Sequence, residues 1–101
     1  MGLDAKQDPG WESYWKAGPP QGDERHFIIR SFLPLTRAIA RRLKAGLPAS
    51  VDYDDLVSAG VIGLISAVDR FDPDKGHNFK KYAAIRIRGT MLDELRQMDW
   101  A

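Results

Sequence analysis

From Asp23 onward the apolar side chains recur at intervals of three and four residues, and no stretch alternates polar with apolar as a half-buried strand does. That single period confines the chain to helices. A first segment runs from Asp23 to Lys44, with Phe27, Leu35, Ile39 and Leu43 on related faces. Pro34 is expected to kink or restart it, because the proline ring cannot continue the hydrogen-bond ladder. Gly46 with Pro48 two residues on is a stop. Ser50 or Asp52 is placed to cap a second helix from Tyr53 to Phe71, whose first turn holds Asp54 and Asp55 where the helix dipole favours acids. Asp72-Pro73-Asp74-Lys75-Gly76 reads as a turn, and a third helix extends from Asn78 to Met98. A chain of 101 residues holds one core. The expected fold is therefore all-α, a compact helical bundle of three main helices plus a short N-terminal helix.

Residues 1–22 read as a leader rich in proline and glycine, and residues 23–101 as the helical domain. Trp11, Tyr14 and Trp15 interrupt the leader at a spacing that puts three rings on one side of a short helix. Either they dock on the main body, or they form a segment ordered only by a partner.

Fifteen Lys and Arg against fourteen Asp and Glu leave a net charge of +1, too small for an overall basic nucleic-acid binder. The distribution differs. Residues 25–46 carry six basic side chains and no acid, whereas residues 51–75 carry six aspartates against Arg70 and Lys75. Residues 77–101 return to five basic against three acidic. Such blocks either pair inside the domain or create surfaces of opposite sign suited to different partners.

At 100° per residue, Tyr53, Leu56, Val57, Gly60, Leu64, Ala67, Val68 and Phe71 make the core stripe of the second helix. Gly60 and Gly63 cost a helix about 1 kcal/mol each relative to Ala, which implies close approach of a neighbour. A second side carries Asp54, Ser58, Val61, Ile62, Ile65 and Asp69. This helix is either central in the bundle or presents an apolar docking strip rimmed by acids. On the third helix Ala84, Ile87, Met91, Leu95 and Met98, helped by Leu92, form the expected core stripe. Phe79, Tyr82, Arg86, Gly89, Thr90, Asp93 and Gln97 fall opposite, flanked by Lys80, Lys81 and Arg88. Rings that accept unstacked bases, interleaved with cations that follow phosphates, suit single-stranded or opened nucleic acid. The alternative is that Phe79 and Tyr82 fold back on the bundle at the helix start.

No cysteine is present, which removes thiolate chemistry and disulfides and suits a reducing cytoplasm. No phosphate-binding glycine loop, nucleophile elbow or histidine-rich metal spacing occurs, and His26 and His77 stand alone. The Asp72-x-Asp74 run starts like a calcium loop, but its glycine comes early and Ala83 sits where the closing Glu belongs. No catalytic residue, metal or cofactor is expected. Neither a membrane span nor an export signal or lipid anchor is indicated.

Several runs together resemble region 2 of bacterial sigma factors of the sigma-70 family, most closely the flagellar/sporulation-type alternative sigma factors. They are Trp11-x-x-Tyr14, Phe32-Leu33-Pro34-Leu35, Leu47-Pro48-Ala49-Ser50-Val51, the stretch from Asp54-Asp55-Leu56-Val57 to Arg70-Phe71-Asp72, Phe79-x-x-Tyr82-Ala83, and Ile87-Arg88-Gly89-x-Met91-Leu92-Asp93-Glu94-Leu95-Arg96. The resemblance implies a transcription initiation factor domain in the cytoplasm that is not an enzyme. It implies that Asp55, Ser58, Val61, Ile62 and Ile65 dock on the clamp helices of the RNA polymerase β′ subunit. Phe79 and Tyr82 match melting aromatics, and Arg86, Gly89, Thr90 and Asp93 match positions facing the promoter −10 element and its non-template strand. An anti-sigma factor is a further partner it suggests. Primary members carry two adjacent tryptophans where this chain has Ile85-Arg86, so a different −10 sequence is expected. Family members continue past the position of Trp100-Ala101, so a fragment of a longer protein is expected. The rival reading is a protein-only helical interaction module that never touches DNA.

Overall fold

A computed structural model describes residues 10–76 and 78–98. Expectations that fall on residues 1–9, His77 and residues 99–101 lie outside the described residues. Four α-helices follow one another: α1 (Gly22–Ser31), α2 (Leu33–Ala45), α3 (Tyr53–Arg70) and α4 (Phe79–Gln97). Short 3₁₀ turns occupy Trp11–Trp15 and Pro73–Lys75, and no strand occurs among the described residues.

Proline chemistry divides the first long segment. Pro34 sits in the first turn of α2, where its missing N–H costs nothing. A continuous helix would press its ring on the carbonyl of Arg30, so the chain breaks at Phe32, which closes α1 through its N–H on Ile28 and Ile29. The other boundaries follow from short polar caps. Asp52 accepts the Asp54 N–H at 2.9 Å to start α3, and Asn78 accepts the Lys81 N–H at 2.8 Å near the start of α4. Between them Asp72 accepts the Asp74 N–H at 2.9 Å, and Gly76 turns the chain at φ 81°. Asp72 of this turn is a cap.

α3 and α4 form an antiparallel pair that α1 and α2 cover on one side. Glycine permits the close seam. A Cβ at Gly60 would run into Met91 and lie 2.9 Å from Thr36, and one at Gly63 would strike Thr90 and lie 2.7 Å from the Arg86 carbonyl. The core holds Ile28, Phe32, Leu56, Leu64, Val68, Phe71, Ile87, Met91 and Leu95. Thr36, the one buried polar residue among those described, donates to the Phe32 carbonyl at 3.1 Å.

The aromatic island belongs to this core. Trp15 is buried and donates its indole N–H to the Val68 carbonyl at 2.9 Å. Trp11 meets Phe32 edge-on at 4.9 Å between ring centres. Glu12 accepts the Phe79 N–H at 2.7 Å, placing a leader carboxylate at the positive end of α4.

Candidate docking ridge and nucleic-acid interface

The outer side of α3 is a ridge. Ile62 is 65% exposed, Val61 and Ile65 are half-buried beside it, and Asp54, Asp55, Ser58 and Asp69 are exposed around them. α3 packs on all three other helices, yet its second side is left partly open at Ile62. The basic and acidic blocks stay largely separate. Arg25 of α1 bonds Asp69 through two contacts of 2.9 and 3.0 Å, the one described ion pair between them. That hydrogen bond, more than the charge alone, holds the Asp69 carboxyl below the usual carboxylate range and raises Arg25 above its ordinary value.

The α4 face requires one correction. Phe79 is fully buried, so it does not share an outer surface with Tyr82. It meets Trp15 at 4.7 Å, Phe32 at 5.0 Å and Phe71 at 5.3 Å between ring centres, the last two edge-on. The buried stripe of α4 is Phe79, Ala83, Ile87, Met91 and Leu95. Successive four-residue steps advance it about 40° each around the helix, so it slants across α4 toward the pocket that Trp15 and Phe71 close. Ile87, Met91 and Leu95 are core as expected, Ala84 and Leu92 are half-buried, and Met98 is 37% exposed.

Tyr82 remains on the outside, half-buried, with one side of its ring resting 5.4 Å from the Phe71 centre. Lys80, Lys81 and Arg88 are exposed. Arg86 is half-buried and donates from Nη2 to Ser66 Oγ at 2.6 Å, while its Nε–H is buried without an acceptor among the described residues. Thr90 turns inward, donating to the Ile87 carbonyl at 2.9 Å. Gly89 is half-exposed, and nothing lies within 4 Å of the Cβ it lacks. Asp93 is exposed and ion-paired with Arg96.

Ser66, Arg96 and Glu12 were not among the site residues read from the sequence. Arg96 was legible, standing three residues after Asp93 on a helix. Ser66 and Glu12 act across 20 and 67 residues of chain, and no local spacing signals either contact.

A four-helix domain with an apolar, acid-rimmed ridge on α3 and a ring, guanidinium and glycine strip on α4 is a helical module with two outward chemistries. Its lineage is narrower: the chain belongs to the sigma-70 region 2 family, whose pattern matches residues 28–101. It is 53% identical over 77 residues to RNA polymerase sigma factor FliA of Salmonella typhimurium, covering 76% of this chain and 32% of that protein. Against FliA of Pseudomonas aeruginosa it is 47% identical over 92 residues, covering 91% and 36%. RNA polymerase sigma-D factor of Bacillus subtilis is 43% identical over 86 residues, covering 85% and 32%. Among solved structures it is similar to a chain in the cocrystal structure of a flagellar sigma/anti-sigma complex, Sigma-28 with FlgM. The TM-score is 0.64 at 44% identity, covering 73% of this chain and 33% of that one. The chain thus spans about a third of the length of these relatives.

Proposed function

We propose that this domain binds core RNA polymerase through the α3 ridge and recognises the promoter −10 element through the outer face of α4, helping to hold its non-template strand open. Family membership supports the class, and the outer strip of α4 carries the assignment. A half-buried ring at Tyr82, backed by Phe71, is followed by Arg86 and by Gly89, a helix-interior glycine that no neighbour in the bundle requires. A glycine that costs its helix stability without an internal packing reason suits close approach of something outside. Lys80, Lys81, Arg88 and Asp93 complete the strip, while Thr90, which the resemblance puts on this face, turns its hydroxyl into the α3/α4 seam. Phe79 supports it from beneath, packing on the Phe71 ring that carries Tyr82.

On α3, Asp55, Ser58, Val61, Ile62 and Ile65 meet the β′ clamp helices, with Ile62 as the apolar anchor. Strand opening here draws on binding energy, and the domain is not an enzyme. It acts in the cytoplasm, and an anti-sigma factor is a further partner, by analogy with the complex in which its structural neighbour was solved.

The test uses the chain bound to core polymerase and a single-stranded −10 non-template oligonucleotide. Stacking is worth about 1–3 kcal/mol per base, so Tyr82→Ala weakens this binding about 5–150-fold while polymerase binding persists. Ile62→Asp does the reverse, losing polymerase with an unchanged melting transition. Intact oligonucleotide binding in Tyr82→Ala, combined with Arg86→Ala, returns the domain to a protein-only module.

A further inference from the structure

The basic block of α1 and α2 has no role in the reading above. Of its six cations, Arg25 bonds Asp69, and Lys44 donates to the Pro48 and Ala49 carbonyls at 3.3 and 3.5 Å. Arg30, Arg37, Arg41 and Arg42 are exposed, and among the described residues the ion pairs are Arg25–Asp69 and Arg96–Asp93. Arg42 stands in the last turn of α2, where the helix dipole favours a cation, but Arg37 and Arg41 precede that turn and no acid on the 13 residues of the helix offsets them.

Their surroundings supply one. A groove of about 500 Å³ runs between α2 and α4, walled by Ile39, Arg42 and Leu43 on one side and by Ala84, Ile85 and Arg88 on the other. No carboxylate lines it. Arg42 and Arg88 stand on opposite walls, Ile85 is 72% exposed beside them, and Arg41, outside the groove, is exposed about 100° around α2 from Arg42. Arg88 flanks the α4 strip on its α2 side, roughly 9 Å along the axis and about 120° around the helix from Tyr82, so it borders both surfaces.

We infer that Arg41 and Arg42 of α2, with Arg88 of α4, form a phosphate track for double-stranded DNA alongside the face that holds separated strands. The inference rests on the promoter reading and extends it to a helix which that reading leaves idle. Guanidinium groups match phosphate oxygens in bidentate geometry and stay charged at any working pH. Arg42 and Arg88 both line the groove and are exposed, and an arginine in such a position can lay its aliphatic stem on the apolar wall and keep its charge in water. Continuity through Arg88 favours DNA over an acidic amphipathic helix, the other occupant whose chemistry suits a basic-rimmed apolar groove.

Two probes separate the possibilities, each titrated against the chain bound to core polymerase over a range of KCl. One is a fork with duplex upstream of a single-stranded −10 segment, and the other is the single strand alone. Arg41→Ala with Arg42→Ala is expected to weaken fork binding and flatten its log–log salt dependence by about 0.9 for each phosphate contact removed. The loss is the same when the duplex sequence is scrambled, because phosphates carry no sequence, and the single-strand affinity stays within about twofold. Arg42→Lys retains most of the slope. An unchanged slope, or equal losses on both probes, overturns the inference. So does a helical Glu/Leu peptide that binds the wild-type chain and is lost in Arg42→Ala while fork binding is untouched, an outcome that assigns the groove to protein. Tyr82→Ala run in parallel keeps the two readings apart. If it loses the single strand while the α2 variants leave the fork slope alone, only the duplex track fails. If it loses nothing, the parent reading fails first.

Discussion

Alanine at three helix-interior glycines should move stability in two directions. Replacing glycine with alanine inside a helix gains about 1 kcal/mol where there is space. At Gly63 there is none, because the new Cβ meets the Thr90 hydroxyl and lies 2.7 Å from the Arg86 carbonyl oxygen, and backbone cannot rotate away. Overpacking of this kind costs about 1–3 kcal/mol, and a backbone obstacle puts it at the upper end, so Gly63→Ala loses about 1–2 kcal/mol net. Gly60 is obstructed by the far ends of side chains, the Met91 methyl and Thr36 Cγ2, and methionine yields. Its net loss is about 0–1 kcal/mol. Gly89 meets nothing within 4 Å, so Gly89→Ala gains about 0.5–1 kcal/mol. In a domain of this size 1 kcal/mol moves Tm by about 4–8 °C, so thermal melts separate Gly63→Ala from Gly89→Ala, with Gly60→Ala between them. The −10 oligonucleotide assay supplies the second axis: Gly89→Ala raises Tm and weakens DNA binding. A neutral or stabilising Gly63→Ala refutes the tight α3/α4 seam, and a stabilised Gly89→Ala with undiminished DNA binding refutes the external reason for that glycine.

Glu12→Ala removes the carboxylate from the Phe79 N–H and should cost about 0.5–2 kcal/mol, as loss of a helix cap does, read as a lower urea midpoint with an unchanged m-value. No change in midpoint would detach the leader from α4. The Arg25–Asp69 pair is pH-dependent in a definite direction. Because its carboxyl is held below the usual range, the contribution of Asp69 is complete above the ordinary carboxylate pKa and disappears as pH falls through the lowered one. Asp69 is exposed and Arg25 partly so, and solvent screening keeps the effect to about 0.2–1 kcal/mol. A double-mutant cycle with Arg25→Ala and Asp69→Asn should show coupling at neutral pH and none once the carboxyl is protonated; coupling that survives acid would exclude this cause.

Helix positions and caps were legible because they depend on neighbours in sequence: Asp52, Asn78, Pro34 and the Asp72–Gly76 turn each act within four residues. The α3 ridge was legible for a related reason. One helix cannot bury two sides in a bundle this small, and branched residues flanked by aspartates mark the side left over. Phe79 escaped the same logic because its neighbours come from elsewhere. Trp15 lies 64 residues before it, and the pocket that receives its ring exists only when the leader packs against α3. A stripe extended backward from Ile87, Met91 and Leu95 at the mean helical period passes beside Phe79; the observed stripe slants because the leader adds core at that end. The Arg86–Ser66 bond is hidden similarly, since a serine facing a neighbouring helix looks in sequence like any exposed polar residue.

The leader also bears on how so short a chain can leave large aliphatic residues in solvent. Ile62 and Ile85 are the most exposed large hydrophobic residues among those described, at 65% and 72%. Leaving each out of a core forgoes about 1.5–3 kcal/mol. Burying one tryptophan removes about 200 Å² of mostly apolar surface, worth about 5 kcal/mol at 25 cal/mol per Å², and Trp15 is buried to 4% exposure with its indole N–H bonded. The two quantities are of the same size. An aromatic anchor donated by the leader therefore offsets the exposure of both outward isoleucines, and it does so at the Phe71–Phe79 end of the α3/α4 pair, where it obstructs neither the ridge around Ile62 nor the groove beside Ile85. A bundle lacking that anchor would have to turn one of these faces inward to reach the same stability, and with it would lose one of the two surfaces proposed to meet a partner.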